Sequence, residues 1–226
     1  MANVNKIACV LVLDASGSMQ QTIGNGWSRI DSLNAAIEQG FSHELKNDLS
    51  TRKAVEVAIV SVSGSEATIV QDWVVAQDFE YQPLSAYGMT PLAGGFKLAV
   101  SLCEERKKHY LSEGIDYYRP WIIIITDGVP TDGSKKWAEA VNLAQEVKEK
   151  KKAYISCAAV DDTKNEQKDN LKQLTTENWV ADLSSHSFAE YFLFLSNSLS
   201  ATSKSSDGKA VMDFDELEQI GIQKII

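Results

Sequence analysis

Apolar residues along this chain fall into two spacings. The first is the short continuous or alternating run of a strand. Ile7 to Leu13 is seven apolar residues without a break, too few to cross a membrane and right for a strand buried on both faces. Trp121 to Ile125, four isoleucines after a tryptophan, predicts a central strand. Ala54 to Ser63 alternates in part through Val55, Val57 and Ile59, and the β-rich Ala67 to Val75 follows after Gly64-Ser65. Strands joined that closely form an antiparallel hairpin, because a parallel crossover needs a dozen residues or more. Ala153 to Val160 predicts another strand, and Trp179 to Leu183 a short edge strand.

The second spacing is helical. Leu33, Ile37, Phe41 and Leu45 make one apolar stripe, behind Ser28 as N-cap and Asp31 in the first turn. Thr90 and Pro91 suit the N-cap and first position of a helix presenting Leu92, Phe96, Val100 and Cys103, with Arg106-Lys107-Lys108 near its end. Trp137, Val141, Ala144 and Val147 predict a helix from Ser134 into a lysine cluster. Asn165 to Thr175 and Phe188 to Leu199 predict two more. Gly24-Asn25-Gly26 marks a turn. Strands and helices in alternation predict an α/β fold, an open, mostly parallel, doubly wound sheet with helices on both faces. Residues 1–203 read as one domain. Residues 204–226 read as a linker and a tail, acidic then apolar, expected to dock on this domain or on a partner.

Charge narrows the partners. A formal net charge of −9 makes free nucleic acid and anionic membrane poor partners. Cys9, Cys103 and Cys157 lie in or beside apolar runs, without CxxC spacing, and are expected to be reduced core thiols. With no small-residue cleavage site after the opening segment, no secretory leader is expected, and the expected location is the cytoplasm.

Chemistry gathers where strands end. The first run stops at Asp14, with Ser16 and Ser18 following at alternate positions; the isoleucine run stops at Thr126-Asp127-Gly128. In an open parallel sheet such ends share a crevice where strand order reverses. Two carboxylates there, with no Lys or Arg in either immediate loop, call for a cation between them. Ser16, Ser18 and Thr90 would add neutral oxygens. This is the donor set of a hard cation, Mg²⁺ first, with Mn²⁺ or Ca²⁺ as alternatives. The plainer reading stays open here: Asp and Ser also bond their own backbone in turns, and capping alone explains Thr90. Asp31 and Asp132 read as capping or surface residues, and Trp121 and Trp137 as core. His43, His109 and His186 are scattered and carry no assignment.

Asp14-Ala15-Ser16-Gly17-Ser18, Thr90 within Gly88-Met89-Thr90-Pro91-Leu92, and Thr126-Asp127-Gly128 together resemble the von Willebrand factor type A domain and its metal-ion-dependent adhesion site. The resemblance spans about Lys6 to Ser203. Tyr117-Tyr118-Arg119-Pro120-Trp121 and Val129-Pro130-Thr131-Asp132 further resemble bacterial TerY/YegL-type proteins linked to tellurite resistance. The resemblance implies strand order 3-2-1-4-5-6 with the third strand antiparallel. It implies Mg²⁺ held directly by Ser16, Ser18 and Thr90, and directly or through water by Asp14 and Asp127. It also implies a non-enzymatic module binding an Asp or Glu of a protein partner, in a stress-response or defence setting with a kinase and a phosphatase-like protein. The enzymatic alternative is a Mg²⁺-dependent haloacid-dehalogenase-like phosphatase. Such enzymes place a second acid two positions after the first, where this chain has Ser16 and Val129. Nucleophile-elbow and phosphate-loop motifs are absent from the sequence.

Overall fold

In a computed structural model, residues 4–23, 26–160, 165–176, 179–183, 187–205 and 214–225 are described. Gly24 and Asn25 of the expected turn, His186, and residues 206–213 of the expected linker and tail lie outside them.

The frame is a seven-stranded sheet in the order β3-β2-β1-β4-β5-β6-β7. Its strands are β1 (Ile7–Asp14), β2 (Val55–Val62), β3 (Thr68–Val75), β4 (Trp121–Thr126), β5 (Tyr154–Val160), β6 (Val180–Leu183) and β7 (Gln223–Ile225). Only β3 and β7 run antiparallel to their neighbours. Every residue of β1, β2 and β4 is buried, because helices cover both faces of the sheet centre. The period of two divides β1 cleanly. Cys9, Leu11 and Leu13 join Leu33, Ile37, Phe41, Phe192 and Leu195 in one core layer. Val10 and Val12 join Phe96, Val100, Ala140 and Ala144 in the other.

The first layer comprises α1 (Arg29–Ala35), a π-helical segment at Ala36–Phe41, α2 (Ser42–Asn47), the short α3 (Thr51–Ala54) and a late helix, α7 (Phe188–Lys204). The π segment explains why the stripe repeats strictly every four residues. At about 3.6 residues per turn an α-helix lets such a stripe drift around its axis, and a wider turn in the middle brings it back. Leu33, Ile37, Phe41 and Leu45 are all fully buried.

The opposite layer holds α4 (Leu92–Ser112), α5 (Ser134–Glu149) and α6 (Asn165–Leu174). Helix α4 runs past the basic triplet that was expected to end it. Arg106 instead bonds the buried Glu56 of β2 through Nε at 2.7 Å and Nη2 at 2.6 Å, with Tyr110 donating to the same carboxylate. The Tyr110 and Arg106 bonds hold Glu56 below the usual carboxylate range against the opposing effect of burial, its largest perturbation. Helix α7 (Phe188–Lys204) is longer than its apolar pattern. Ser196 and Thr202 are buried in it because each hydroxyl donates to a carbonyl one turn back, at 2.8 Å.

Two sheet expectations change. Trp179 to Leu183 was expected to form an edge, yet β6 has a neighbour on each side. Its outer neighbour β7 extends the expected six-strand order to seven, and follows α8 (Phe214–Gln219). Val180 pairs with Ile225 and Asp182 with Gln223, while Leu217 and Ile222 are fully buried. Cys9, Cys103 and Cys157 are buried and free, and burial raises the pKa of each thiol.

Candidate metal centre at the strand ends

Register places the two acids together. Leu13 lies opposite Ile125 in the parallel β1–β4 pair, so the next positions, Asp14 and Thr126, emerge side by side with Asp127 one residue further. Thr126 Oγ1 donates to Asp14 Oδ2, and its oxygen accepts from the Gly128 N–H at 3.1 Å. Asp14 Oδ1 accepts from the Ser16 N–H at 2.8 Å. The hydroxyls of Ser16 and Ser18 are 3.0 Å apart, and Ser18 Oγ donates to Asp127 Oδ1 at 2.6 Å. Asp14, Ser16, Ser18 and Asp127 thus form one connected cluster. Asp14 lies at its buried end, and Ser18 is the member exposed to solvent.

Thr90 joins from the other side through glycine. A Cβ on Gly128 would stand 3.2 Å from Thr90 Oγ1 and 3.6 Å from Asp14 Oδ2, so only a residue without a side chain leaves that space clear. Behind Thr90, Gly88 has φ +69°, and a Cβ there would come within 2.6 Å of the Gly64 Cα. This close approach lets Gly64 N–H donate to Tyr87 O and Met89 N–H to Gly64 O, each at 3.1 Å. Gly88 O accepts from Gly17 N–H at 3.0 Å, which ties the Thr90 loop to the turn carrying Ser16 and Ser18.

Thr90 is not the N-cap expected from its place before Pro91. Helix α4 begins at Leu92, and Pro91 occupies the cap position without a side-chain bond. The free N–H groups of the first turn are met from the β4 loop instead. Ala93 N–H donates to Asp132 Oδ2 at 2.9 Å and Gly94 N–H to Asp132 Oδ1 at 3.2 Å. Thr131 holds the same junction, accepting through Oγ1 from Thr90 N–H at 3.1 Å and donating its N–H to Thr90 O at 2.9 Å. Capping therefore makes no claim on the Thr90 hydroxyl.

Arg29, to which the sequence reading gave no role, is part of the cluster. Its Nη1 lies 2.8 Å from Asp127 Oδ2, with both side chains buried. Neither immediate loop carries a Lys or Arg, as expected, but a protein cation reaches Asp127 from α1, outside both loops. The signal was indirect. Ser28 and Asp31 form a capping box, which fixes the start of α1, and Arg29 N–H donates to Gln21 O at 3.0 Å, which brings that start against the β1 loop. Thr126 enters the sequence pattern only as motif context, and its bond to Asp14 depends on the register.

Burial is the chief reason that the Asp14 pKa rises to about 6; the Thr126 bond opposes the rise, and the nearby Asp127 charge adds to it. The donor set is hydroxyl and carboxylate oxygen throughout. Among the described residues no three of His, Cys, Asp and Glu stand close enough to hold a metal ion. Such oxygens fit Mg²⁺ or Mn²⁺ and suit zinc or copper poorly.

No protein-family model matches the chain, and no curated protein does. Solved structures do resemble it. The pilus adhesin SpaC of Lactobacillus rhamnosus GG superposes with TM-score 0.68 and 16% identity over 88% of this chain, which spans only 31% of that one. The vWF domain of the pili tip protein Mfa5 from Porphyromonas gingivalis gives TM-score 0.63 and 15% identity, covering 95% of this chain and 100% of that domain. The VWA domain of SpRpn10 gives TM-score 0.53 and 12% identity, over 78% of this chain and 86% of that one. With the sheet order and helix layers above, these likenesses establish that the chain has the von Willebrand factor type A fold.

Proposed function

We propose that this chain is a non-enzymatic, metal-dependent protein-interaction module. Asp14, Ser16, Ser18, Thr90 and Asp127 would hold Mg²⁺, and a partner's Asp or Glu would complete its coordination. The observation that carries the reading is the linked cluster at the ends of β1 and β4, buried at Asp14 and open to solvent at Ser18. Bound there, the ion would supply a charge-assisted contact to an incoming carboxylate. The chain supplies the rest. Thr126 and the Ser16 N–H orient Asp14, Arg29 orients Asp127, and the Gly64–Gly88 approach sets the position of the Thr90 loop.

Specificity would come from the rim. Tyr87, Met89 and Val129 flank the site in sequence and are 59%, 53% and 50% exposed, so the partner's acid should be flanked by apolar side chains. SpaC is a pilus adhesin, and attachment to another molecule is the part of that description carried over here. Residues 117–121 and 129–132 supply the narrower setting of the proposal, a bacterial stress-response or defence complex with a kinase and a phosphatase-like protein. The proposed location is the cytoplasm, in keeping with that setting. Against the phosphatase alternative, the second acid such enzymes place two positions on is missing after both Asp14 and Asp127, where the chain has Ser16 and Val129. No helix among the described residues is long and apolar enough to cross a membrane.

The test is metal-gated capture. The native partner should be retained by the immobilised chain in Mg²⁺, released by EDTA, and retained less by Met89→Glu, whose thermal response to Mg²⁺ stays intact. A complex that persists in EDTA would place the interface elsewhere.

A further inference from the structure

A buried ion pair rarely repays its desolvation in stability, and replacing both partners by well-packed apolar residues of similar volume is often neutral or stabilising. Arg29 nevertheless lies against one of the two candidate ligand carboxylates, 2.8 Å from Asp127 Oδ2, while Ser18 holds the other oxygen. Its consequence is in the charge count. Asp14 and Asp127 with Arg29 sum to −1, so a divalent ion brings the cluster to +1 and one carboxylate brings it to zero. Without Arg29 the ion alone reaches neutrality, and a carboxylate would then leave a buried negative charge.

We propose that Arg29 makes the site bind a divalent cation and a monocarboxylate together, by holding metal affinity down until the acid arrives. This rests on the metal reading above and adds to it a coupling between the two ligands. Such coupling is reciprocal: the factor by which carboxylate tightens metal is the factor by which metal tightens carboxylate.

The experiment is Mn²⁺ titration, followed by the EPR signal of the free ion, on wild type, Arg29→Gln, Arg29→Lys and Asp14→Asn. Each is run with and without acetate at matched ionic strength. In wild type, acetate should tighten Mn²⁺ binding several-fold. Arg29→Gln should bind Mn²⁺ alone at least about tenfold more tightly, since the positive charge held against a candidate ligand carboxylate is gone, and should lose the acetate effect. Arg29→Lys keeps the charge and should keep the wild-type pattern. If the Gln variant unfolds without metal, Mn²⁺ should refold it, and failure to do so overturns the proposal. Equal tightening in the Gln and Lys variants would assign the effect to packing and also overturn it. Wild type that binds Mn²⁺ no better than Asp14→Asn would instead remove the metal site itself, and with it this inference.

Discussion

Asp14→Asn should leave the metal-free chain at neutral pH at least as stable as wild type, and erase its thermal response to Mg²⁺. The carboxyl is raised to about 6 by burial, so the folded state holds that proton more tightly than the unfolded chain does, where such a group titrates near about 3.9. The sign follows from linkage. This group's contribution to stability is fully present below about pH 4 and is lost as pH rises through about 6, so at neutral pH the ionised form is a burden of about 2–3 kcal/mol. Asn removes the burden and can still accept from the Ser16 N–H. In wild type the metal should offset it, and a hundredfold excess over Kd adds about 2.7 kcal/mol. For a chain of this size that is a rise of roughly 5–10 °C. The rise should shrink below about pH 6, where the proton competes for the same oxygens. Differential scanning calorimetry on both proteins with Mg²⁺ and with EDTA measures all of this. An equal Mg²⁺ response in the Asn variant would remove Asp14 from the site.

Asp127→Ala should behave in the opposite way before any metal is added. It leaves the buried Arg29 guanidinium without its carboxylate, and breaking a buried pair from one side costs about 3–5 kcal/mol. The melting temperature should fall by roughly 10 °C. Pairing the change with Arg29→Met should recover much of the loss, giving a non-additive double-mutant cycle. Two acids that look interchangeable in sequence would thus separate by the sign of their effect on the metal-free fold. A small, additive loss at Asp127 would mean that the Arg29 pair is weak in solution.

Much of the fold was legible because its signals are local. The unbroken burial of β1 and β4, the Gly64-Ser65 hairpin and the stripe from Leu33 to Leu45 each depend on residues near in sequence. The convergence of Asp14 and Asp127 could be argued because both end buried strands, a general property of open parallel sheets. What stayed hidden depends on pairing across the fold. Asp132 caps a helix that starts some forty residues earlier, so the local Thr90-Pro91 signature pointed to the wrong capping group. Thr126 reaches Asp14 only because Leu13 and Ile125 share a register. Arg29 sits on the first turn of an ordinary surface-capped helix, and its burial follows from where that helix abuts the β1 loop. The extra length of α7 was masked by serine and threonine residues that solvate themselves on the helix backbone.

The β6–β7 pairing bears on how the chain is handled. A stop codon placed after the adhesion-type motifs, near residue 203, would strip β6 of its antiparallel cover and unseat Leu217 and Ile222 from the core. What had been an interior rung would become a bare template for pairing between molecules, a route to self-association. Material cut to the borders its motifs suggest would therefore acquire a sticky flank of its own making, on the side of the sheet away from β3.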